Sequence, residues 1–429
     1  MKTLSTKPVR GTSDWKPEEF KIRNYIFQTW RNACESFGYQ EYLTPLIENA
    51  EVYRAKSGDE LGNKQLLIFT NRKGEELAIR PEMTPSVTRM LSSYYNAVPK
   101  PVRLFSIANF WRNEKPQKGR NREFWQLNVD IFGEEGAFAD VEILMVGINI
   151  MLAFGATAEM FTVRINNRDL IDFFIKNILR INDENVKKSI FGLLDKWNKL
   201  EGSDKEKIMQ KELRFSNQQI KTLKTFASLQ NEQEFLDRFP EIAKSKGFQN
   251  IKTVLEQLKL LGLSDYVEFI PSIVRGIDYY DGLVFEAFDK NPENSRALWG
   301  GGRYNGLADI FGIKDMPAVG FGWGDETMKL FLQGWNLLPE FTEDIYFIPV
   351  LDENLRADCY KIADSLRNNK LRAIVSVNTF KSIAKALKFA DRNKYTKVVI
   401  YGDEEQKNRI FIIKDMKTGQ QVEKKLKTA

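Results

Sequence analysis

The stretch Arg112-Asn-Glu-Lys-Pro-Gln-Lys-Gly-Arg-Asn-Arg-Glu-Phe-Trp-Gln126 carries five cations within its first eleven positions and ends in aromatic residues. Apolar runs with strand character flank it, Val102 to Trp111 before and Trp125 to Phe132 after. A basic loop that contains Gly and Pro between two such runs predicts a β-hairpin. Arginine forks match phosphate oxygens in pairs, so this hairpin is a candidate clamp for a polyanion. Judged by charge alone, a solvated surface hairpin is the simpler interpretation. Other segments of the chain must decide between it and a phosphate-binding hairpin.

The composition is typical of a globular protein with room for two or three domains. The chain has 429 residues, of which 42% are hydrophobic and 28% charged. Residues 1–10 lack the pattern of a signal peptide, and no apolar run is long enough to span a membrane. Cys34 and Cys359 are the two cysteines and lie far apart, which excludes a disulfide framework and a thiolate zinc site. We therefore expect a cytoplasmic protein.

Histidine is absent from the chain. Its absence excludes a histidine general base, a Ser-His-Asp triad and a histidine-ligated metal site. Any chemistry must rely on Arg, Lys, Glu, Asp, Tyr and bound ions.

The net charge of +6 is unevenly distributed. Lys381 to Ala429 contain 13 basic and 6 acidic residues, whereas the rest of the chain has 51 and 52. A basic C-terminal region favours a nucleic acid or another anionic partner, and a solubilising surface is equally compatible with the charge pattern.

Local patterns predict a mixed first half of the chain. A helix is expected from about Pro17 to Phe37, capped by Ser13 or Asp14 and stopped at Gly38. The other predicted elements are a strand at Tyr39–Leu43, a hairpin of Gln65–Thr70 and Leu77–Arg80, and helices at Pro81–Tyr95 and Asp140–Ala153.

The second half changes character twice. Residues 166–266 have helical spacing and few glycines, and strands resume at Val267. The clusters Gly300-Gly-Gly302 and Gly320-Phe-Gly-Trp-Gly324 mark places where the backbone approaches another group closely or bends sharply. The last unit predicts a compact α/β domain: strand Ile345–Val350, helix Asn354–Asn369, strand Arg372–Val377, helix Phe380–Asn393, strand Lys397–Tyr401 and two strands around Thr418-Gly419.

Four segments together resemble the histidyl-tRNA synthetase family of class II aminoacyl-tRNA synthetases. Their order and spacing agree over nearly the whole chain, and the Arg-Gly-(Leu/Ile)-Asp-Tyr-Tyr signature belongs to that family's histidine site. The segments are Arg80-Pro-Glu-Met-Thr84, the Arg112–Gln126 loop, Arg275-Gly-Ile-Asp-Tyr-Tyr280, and Gly300-Gly-Gly-Arg-Tyr304 with Ala318-Val-Gly-Phe321.

The resemblance implies an α+β class II synthetase catalytic core, an antiparallel sheet with flanking helices. The core would comprise residues 1–165 and 267–335, interrupted by a helical insertion at 166–266. A linker at 336–343 would lead to a C-terminal α/β anticodon-binding domain at 344–429. The family also implies a homodimer formed through the first motif, here the Pro17 to Pro45 unit.

The implied reaction joins the carboxylate of L-histidine to the α-phosphate of ATP, with Mg²⁺, and releases pyrophosphate. The histidyl-adenylate then passes its acyl group to tRNA-His and releases AMP. The carboxylate is already a nucleophile, so the first step needs positioning and neutralisation of phosphate charge rather than a protein base. Arginines and Mg²⁺ supply both, which is compatible with a chain that lacks histidine.

The resemblance also implies residue roles at the ATP end. Arg112 and Arg275 would hold the α-phosphate from two sides as the catalytic arginines, whereas outside these motifs each would be read as a surface ion pair. Glu114 would accept the exocyclic amine of adenine, and Phe124 would stack on its ring or, alternatively, pack in the core.

The implied histidine site is polar, and hydrogen bonding to a substrate discriminates strongly against others. The alternatives are a solvated carboxylate for Asp130 and half-buried sheet residues for the tyrosine pair. The implied roles are Glu82 with Thr84 for the α-ammonium group, Asp130 and Tyr279 for the imidazole, and Gln126, Tyr280, Tyr304 and Gly320 for the lining. Gln117 and Arg120 at the loop tip would touch the tRNA acceptor end.

Two positions depart from the family pattern. Class II enzymes usually have an arginine that holds the ATP γ-phosphate where this chain has Thr327, and Trp125 stands where the family often has histidine. Thr327 cannot replace a guanidinium. Three alternatives follow: Lys329 or another cation replaces the missing arginine, ATP binds in a different way, or activation of histidine by ATP is weak.

The alternative function is therefore a non-catalytic paralogue that binds histidine as a regulatory or sensor subunit. Such paralogues generally lack the terminal domain that Ile345 to Ala429 predict here. A generic RNA-binding protein is a third class, but it leaves the matched pocket residues unexplained.

Overall fold

The computed structural model describes residues 3–56, 60–117, 119–197, 200–229, 231–275, 279–294, 296–342 and 344–426. Lys118 in the basic loop and residues 276–278 in the Arg275–Tyr280 signature lie outside the described residues. The chain forms two compact units, Met1–Leu338 and Pro339–Ala429. Within the described ranges, every helix is too short or too polar to cross a membrane.

The first unit is built from strands and helices joined by short 3₁₀ and π turns. Its strands are β1 Gln40–Glu41, β2 Ile47–Asn49, β3 Leu67–Thr70, β4 Glu76–Ile79, β5 Val102–Trp111, β6 Glu123–Phe132, β7 Phe161–Asn167, β8 Val267–Phe269, β9 Leu283–Asp289, β10 Ala297–Arg303 and β11 Ala318–Gly324. Its helices are α1 Pro17–Ser36, α2 Ala50–Arg54, α3 Thr84–Ser92, α4 Ala137–Ala153, α5 Arg168–Phe173, α6 Glu184–Asp195, α7 Gly202–Lys207, α8 Asn217–Ser228, α9 Glu232–Arg238, α10 Lys246–Leu260 and α11 Asp325–Gly334.

The main sheet is largely antiparallel, in the order β1-β5-β6-β11-β10-β9-β7-β8. Only its edge pairs, β1 with β5 and β7 with β8, run parallel among the described strands. The predicted α+β core is confirmed. The strands β5 and β6 pair from Val102 with Phe132 to Trp111 with Glu123, so the predicted hairpin around the basic loop is also confirmed. Strand β6 begins at Glu123, two residues earlier than predicted.

Successive side chains of strand β6 point alternately to the hydrophobic core and to the opposite face of the sheet. Leu127, Val129 and Ile131 join the hydrophobic core that includes α1 and α4. Successive side chains of a strand point to opposite faces, so Asn128 and Asp130 lie on the other face of the sheet. This face carries the polar residues described below.

Several predicted boundaries were wrong in the first unit. Helix α1 begins at Pro17, as predicted, but its N-cap is Lys16 rather than Ser13 or Asp14, because Pro17 fills the first helical position and the Glu19 carboxylate accepts the Lys16 backbone N–H at 3.3 Å. Gly38 does follow the helix, in the left-handed region at φ +80°.

Three other elements differ in length from their predictions. The strand expected at 39–43 shortens to β1, and the helix expected at 81–95 shortens to α3, which a separate 3₁₀ turn at Tyr95–Ala97 follows. Helix α4 begins three residues early, after Gly136, which has extended backbone. The second hairpin is confirmed as β3 and β4.

The segment between β7 and β8 is helical, as predicted, and comprises α5 to α10. Asn166 and Asn167 still belong to β7, so its helical part begins at Arg168. Its interior is aromatic: Phe174 and Phe226 stack with ring centroids 3.9 Å apart.

The second unit is the predicted α/β domain. Its sheet has the order β13-β12-β14-β15-β16, with the first three strands parallel and the last two added antiparallel. Helix α14 has six residues and was not predicted. The elements are β12 Ile345–Val350, α12 Arg356–Asn368, β13 Arg372–Thr379, α13 Ile383–Arg392, β14 Lys397–Ile400, α14 Asp403–Asn408, β15 Ile410–Asp415 and β16 Gln421–Lys425.

Candidate active site

A cavity of about 930 Å³ lies against the main sheet of the first unit. It brings together residues that are more than 200 positions apart in the sequence, including all but one of the predicted site residues. The exception is Asp130, which is buried and accepts a hydrogen bond from the hydroxyl of the lining residue Tyr304. The predicted residues that line the cavity are Glu82, Thr84, Arg112, Glu114, Gln117, Arg120, Phe124, Gln126, Arg275, Tyr279, Tyr280, Tyr304 and Gly320.

Two buried carboxylates are each held by a tyrosine. The Tyr279 hydroxyl donates to Glu82 Oε2 at 2.7 Å, and the Tyr304 hydroxyl donates to Asp130 Oδ1. The ring of Tyr279 packs edge-on against Tyr280 and Tyr304, with centroids 5.0 and 5.7 Å away. The tyrosines thus fix both carboxylates without neutralising them.

One carboxylate oxygen of Asp130 lacks a hydrogen-bond donor among the described residues. Its Oδ2 atom is buried and makes no hydrogen bond to any residue that the structure describes. Burial raises the pKa of Asp130 to about 7, the hydrogen bond from Tyr304 opposes this shift, and the charge of Glu82 adds to it. A buried acceptor without a donor is costly, so this oxygen is suited to a ligand N–H.

The tyrosines remain donors at neutral pH. Burial raises the pKa of Tyr279 and of Tyr304 well above the ordinary value, and the adjacent carboxylates Glu82 and Asp130 raise them further. Both hydroxyl groups therefore keep their protons at neutral pH.

The glycine clusters make room for these side chains. An added Cβ would lie 2.0 Å from Asp130 Oδ1 at Gly320 and 2.4 Å from the Arg275 guanidinium at Gly300. At Gly322 it would lie 2.2 Å from the side-chain nitrogen of Gln126. The close approach predicted from the glycine pattern is confirmed, and the approaching groups are site residues.

Two predicted arginines differ in their contacts. The Nε of Arg112 donates to the Pro81 carbonyl at 3.0 Å, and its guanidinium lies 5.0 Å from the Phe124 ring centroid. The Nη1 of Arg275 donates to Glu286 Oε1 at 2.7 Å. The Arg275 side chain is only 19% exposed, so this is a cavity ion pair rather than a surface one.

The two residues predicted to receive adenine also contact the rest of the protein. Glu114 forms an ion pair with Arg120, and its side chain is 10% exposed. The Phe124 ring stacks on Phe110 with centroids 5.7 Å apart and also lines the cavity, so it has both a core contact and an open side.

Neither departure from the family pattern supplies a cation to the cavity. The Thr327 hydroxyl donates to the carbonyls of Leu298 and Gly324, at 3.1 and 3.0 Å. The Lys329 ammonium lies over the Trp15 ring, 4.8 Å from its centroid, and lines no part of the cavity. Trp125 packs on Phe27, against the hydrophobic core that includes α1 and α4, and does not line the cavity.

Sequence reasoning missed several lining residues. Glu286 is the partner of Arg275, and its signal was a carboxylate in the middle of the otherwise apolar run of residues 283–288. Asn128 accepts a hydrogen bond from Gln126 at 3.0 Å, and Arg296 reaches the loop tip. Within the described residues, no group of three or more Asp, Glu or Cys side chains could hold a metal ion by itself.

Comparison with known proteins gives matches over both units. A family model described as histidyl-tRNA synthetase matches residues 11–326, and an anticodon binding domain model matches 344–429. A histidine--tRNA ligase of Leptospira biflexa is 39% identical over 414 residues, covering 96% of this chain and 94% of its own length. The corresponding protein of Opitutus terrae is 34% identical over 436 residues, covering 97% and 95%.

The fold is also found among solved structures. The crystal structure of histidyl-tRNA synthetase from Nostoc sp. superposes with a TM-score of 0.81, covering 99% of this chain and 97% of its own. The identity is 22%, so this likeness concerns the fold.

Proposed function

The chain belongs to the histidyl-tRNA synthetase family, and we propose that it is a histidine--tRNA ligase. It attaches L-histidine to tRNA-His through a histidyl-adenylate and releases AMP and pyrophosphate. One observation carries the proposal: Glu82, held by Tyr279, lines the same cavity as Arg112 and Arg275, and the lining residue Tyr304 holds the buried carboxylate of Asp130 next to it.

The histidine substrate binds at the carboxylate end. Glu82, with Thr84 beside it, receives the α-ammonium group. The Oδ2 atom of Asp130 accepts an imidazole N–H, while Tyr279 reads the ring from the opposite side. Gln126, Tyr280, Tyr304 and Gly320 complete the lining. A substrate without a ring N–H leaves the buried Asp130 oxygen unsatisfied, which provides specificity.

Adenylation uses the arginine end. Arg112 and Arg275 hold the α-phosphate, and their fixed donors stabilise the charge that grows on it as the histidine carboxylate attacks. Glu286 fixes the Arg275 guanidinium before substrate arrives. Glu114 and Phe124 receive the adenine, while Glu114 also keeps its ion pair with Arg120.

Mg²⁺ enters as part of the MgATP substrate. Magnesium usually keeps several waters and binds through substrate phosphates with one or two carboxylates. A dedicated cage of protein ligands is therefore not required.

Transfer to tRNA involves the loop tip and the second unit. Gln117 and Arg120 contact the acceptor end, and the α/β domain at 344–429 binds the anticodon, which the C-terminal basic excess supports. Residues 1–165 and 267–335 form the catalytic core, 166–266 the insertion and 336–343 the linker.

The working form is a cytoplasmic homodimer. The Pro17 to Pro45 unit and the residues after it expose apolar side chains, with Leu43 66%, Leu46 40% and Ile47 45% exposed. Clusters of exposed apolar residues mark interaction surfaces. Sedimentation equilibrium of the protein and of a Leu43→Asp variant tests this part: the dimer should weaken in the variant.

Aminoacylation of a tRNA-His transcript with labelled histidine tests the proposal. We expect charging of this RNA and none of a transcript for another amino acid, with Arg275→Ala as the inactive control. If a reference histidine--tRNA ligase charges the same RNA and this protein does not, the charging function is refuted.

A further inference from the structure

The proposed function leaves part of the ATP charge without a partner. Arg112 and Arg275 serve the α-phosphate, whereas most of the negative charge of ATP lies on the two outer phosphates. The side chain of Thr327 stands where class II enzymes usually have a cation, and its hydroxyl proton is already donated to backbone carbonyls. Apart from the Mg²⁺ of MgATP, any charged contact to the outer phosphates has to come from another cation that lines the cavity.

The arginines that line the cavity differ in their partners. Arg120, Arg164 and Arg275 lie within 4 Å of the carboxylates of Glu114, Glu268 and Glu286 in that order. Among the described residues, the other two, Arg112 and Arg296, form no ion pair of 4 Å or less and donate to a carbonyl oxygen and an amide oxygen, respectively. Burial lowers the pKa of Arg112, and the charges of Glu82 and Glu114 still act on it and oppose this shift. A guanidinium that no carboxylate neutralises is available to a phosphate.

Arg296 lies next to the position of the missing arginine. Its Nη2 atom donates to Gln117 Oε1, a neutral amide oxygen at the loop tip, at 2.6 Å. A Cβ built on Gly119 would lie 3.6 Å from Arg296 Cδ and 4.0 Å from Thr327 Cγ2. The side chains at 296 and 327 therefore flank the same residue of the basic loop, one approaching from the start of β10 and the other from α11.

We propose that Arg296 binds the terminal phosphate of ATP and supplies the charge that Thr327 cannot. When ATP enters, the guanidinium exchanges the Gln117 oxygen for phosphate oxygens, which are stronger acceptors because they are charged. Lys329 is not the substitute, because its ammonium lies over Trp15. The proposal rests on the proposed function, since it assumes that ATP is a substrate.

Binding of ATP and of AMP to the full chain, measured by calorimetry, separates the outer phosphates from the rest of the nucleotide. Arg296→Ala should raise the Kd of ATP about 10- to 100-fold, the cost of a charge-assisted contact, and leave the Kd of AMP and of histidine unchanged. Arg296→Lys should retain part of the ATP affinity. Arg238→Ala on α9 removes one exposed arginine outside the cavity and should bind all three ligands like the parent protein.

A second substitution tests the shared location. Thr327→Arg in the Arg296→Ala background should restore most of the lost ATP affinity, because an arginine at either position would reach the same phosphate. If the double variant binds ATP as weakly as Arg296→Ala does, the two positions do not serve the same phosphate. Unchanged discrimination between ATP and AMP in Arg296→Ala, with thermal unfolding like that of the parent, overturns the proposal. This outcome is distinct from failure of the proposed function, in which the parent protein would bind histidine or ATP but never couple them.

Discussion

The carboxylate of Asp130 occupies the space that a side chain at residue 320 would fill. The two residues are paired in register on β6 and β11, and a Cβ added to Gly320 would lie 2.0 Å from Asp130 Oδ1. Because residue 320 has no side chain, the Asp130 carboxylate can reach Tyr304. Its second oxygen is buried and accepts no hydrogen bond from the described residues. The proposed histidine site therefore depends on a glycine in the neighbouring strand.

Gly320→Ala should damage the site more than the fold. The added methyl would also lie 2.6 Å from the Val129 carbonyl, so Asp130 or the strand must shift. We expect the Kd of histidine to rise at least about tenfold and the free energy of unfolding to fall by about 1–3 kcal/mol. Calorimetry with histidine and urea unfolding measure the two effects.

The matched control is Gly192→Ala on α6, where nothing lies within 4 Å of the added Cβ. Alanine favours helix, so this variant should be as stable as the parent or more stable. Unchanged histidine affinity in Gly320→Ala would show that Asp130 does not need its present position.

Asp130→Asn should change how stability depends on pH. The folded-state pKa of Asp130 is raised to about 7 by burial, so the neutral acid is favoured in the folded protein and stability is lost as pH rises from about 4 to 7. Asparagine does not titrate. The variant should therefore gain stability relative to the parent between pH 5 and 7, by up to a few kcal/mol, with no further gain above about pH 8.

Thermal unfolding of both proteins at pH 5, 6, 7 and 8 without ligand measures this difference. A constant difference in Tm across the series would mean that Asp130 is ionised throughout. The same variant should bind histidine more weakly, because the amide offers a donor where the ring N–H needs an acceptor.

Arg275→Ala should slow adenylate formation about 10²–10³-fold, since its contact strengthens as charge develops on the α-phosphate. Histidine affinity should stay near the parent value. Glu286→Gln should have a smaller effect on the same step, because it loosens the guanidinium but leaves it in place. Single-turnover kinetics of the first step, with Arg238→Ala as the control, measure these rates. A first-step rate equal to that of the parent would assign Arg275 a different role.

Removing the second unit should separate the two half-reactions. Each unit has its own hydrophobic core among the described residues, so a chain ending at Leu338 cuts through neither. We expect adenylate formation to persist and tRNA-His charging at low RNA concentration to fall at least tenfold, through weaker RNA binding. Insoluble protein would show that the first unit needs the second to fold, and unchanged charging would contradict anticodon binding by the second unit.

The sequence predicted the elements with strong periodicity and missed details that tertiary contacts decide. The β5–β6 hairpin and the α/β alternation after Ile345 were predictable because alternation and helical spacing are local properties. The N-cap of α1 was not, because Pro17 and the Glu19 carboxylate place it at Lys16, whereas Ser13 and Asp14 are equally good capping residues by sequence. Short elements such as α14 lie below the length at which periodicity is informative.

The site was predictable only in part. Most of the residues that the matched motifs predicted line one cavity, and the glycine pattern indicated close approach. The unsatisfied Asp130 oxygen and the carboxylate partner of Arg275 depend on contacts across strands, which no local pattern reports. Arg296 carried no motif at all, and its significance follows from its place beside Thr327.

Exchange of labelled pyrophosphate into ATP by the purified protein tests the central claim most directly. We predict exchange that depends on histidine and is absent with each of the other amino acids, because Asp130 and Glu82 select the substrate and the arginines activate it. Exchange that fails with histidine, although the protein still binds it, would contradict the account and favour a non-catalytic histidine sensor.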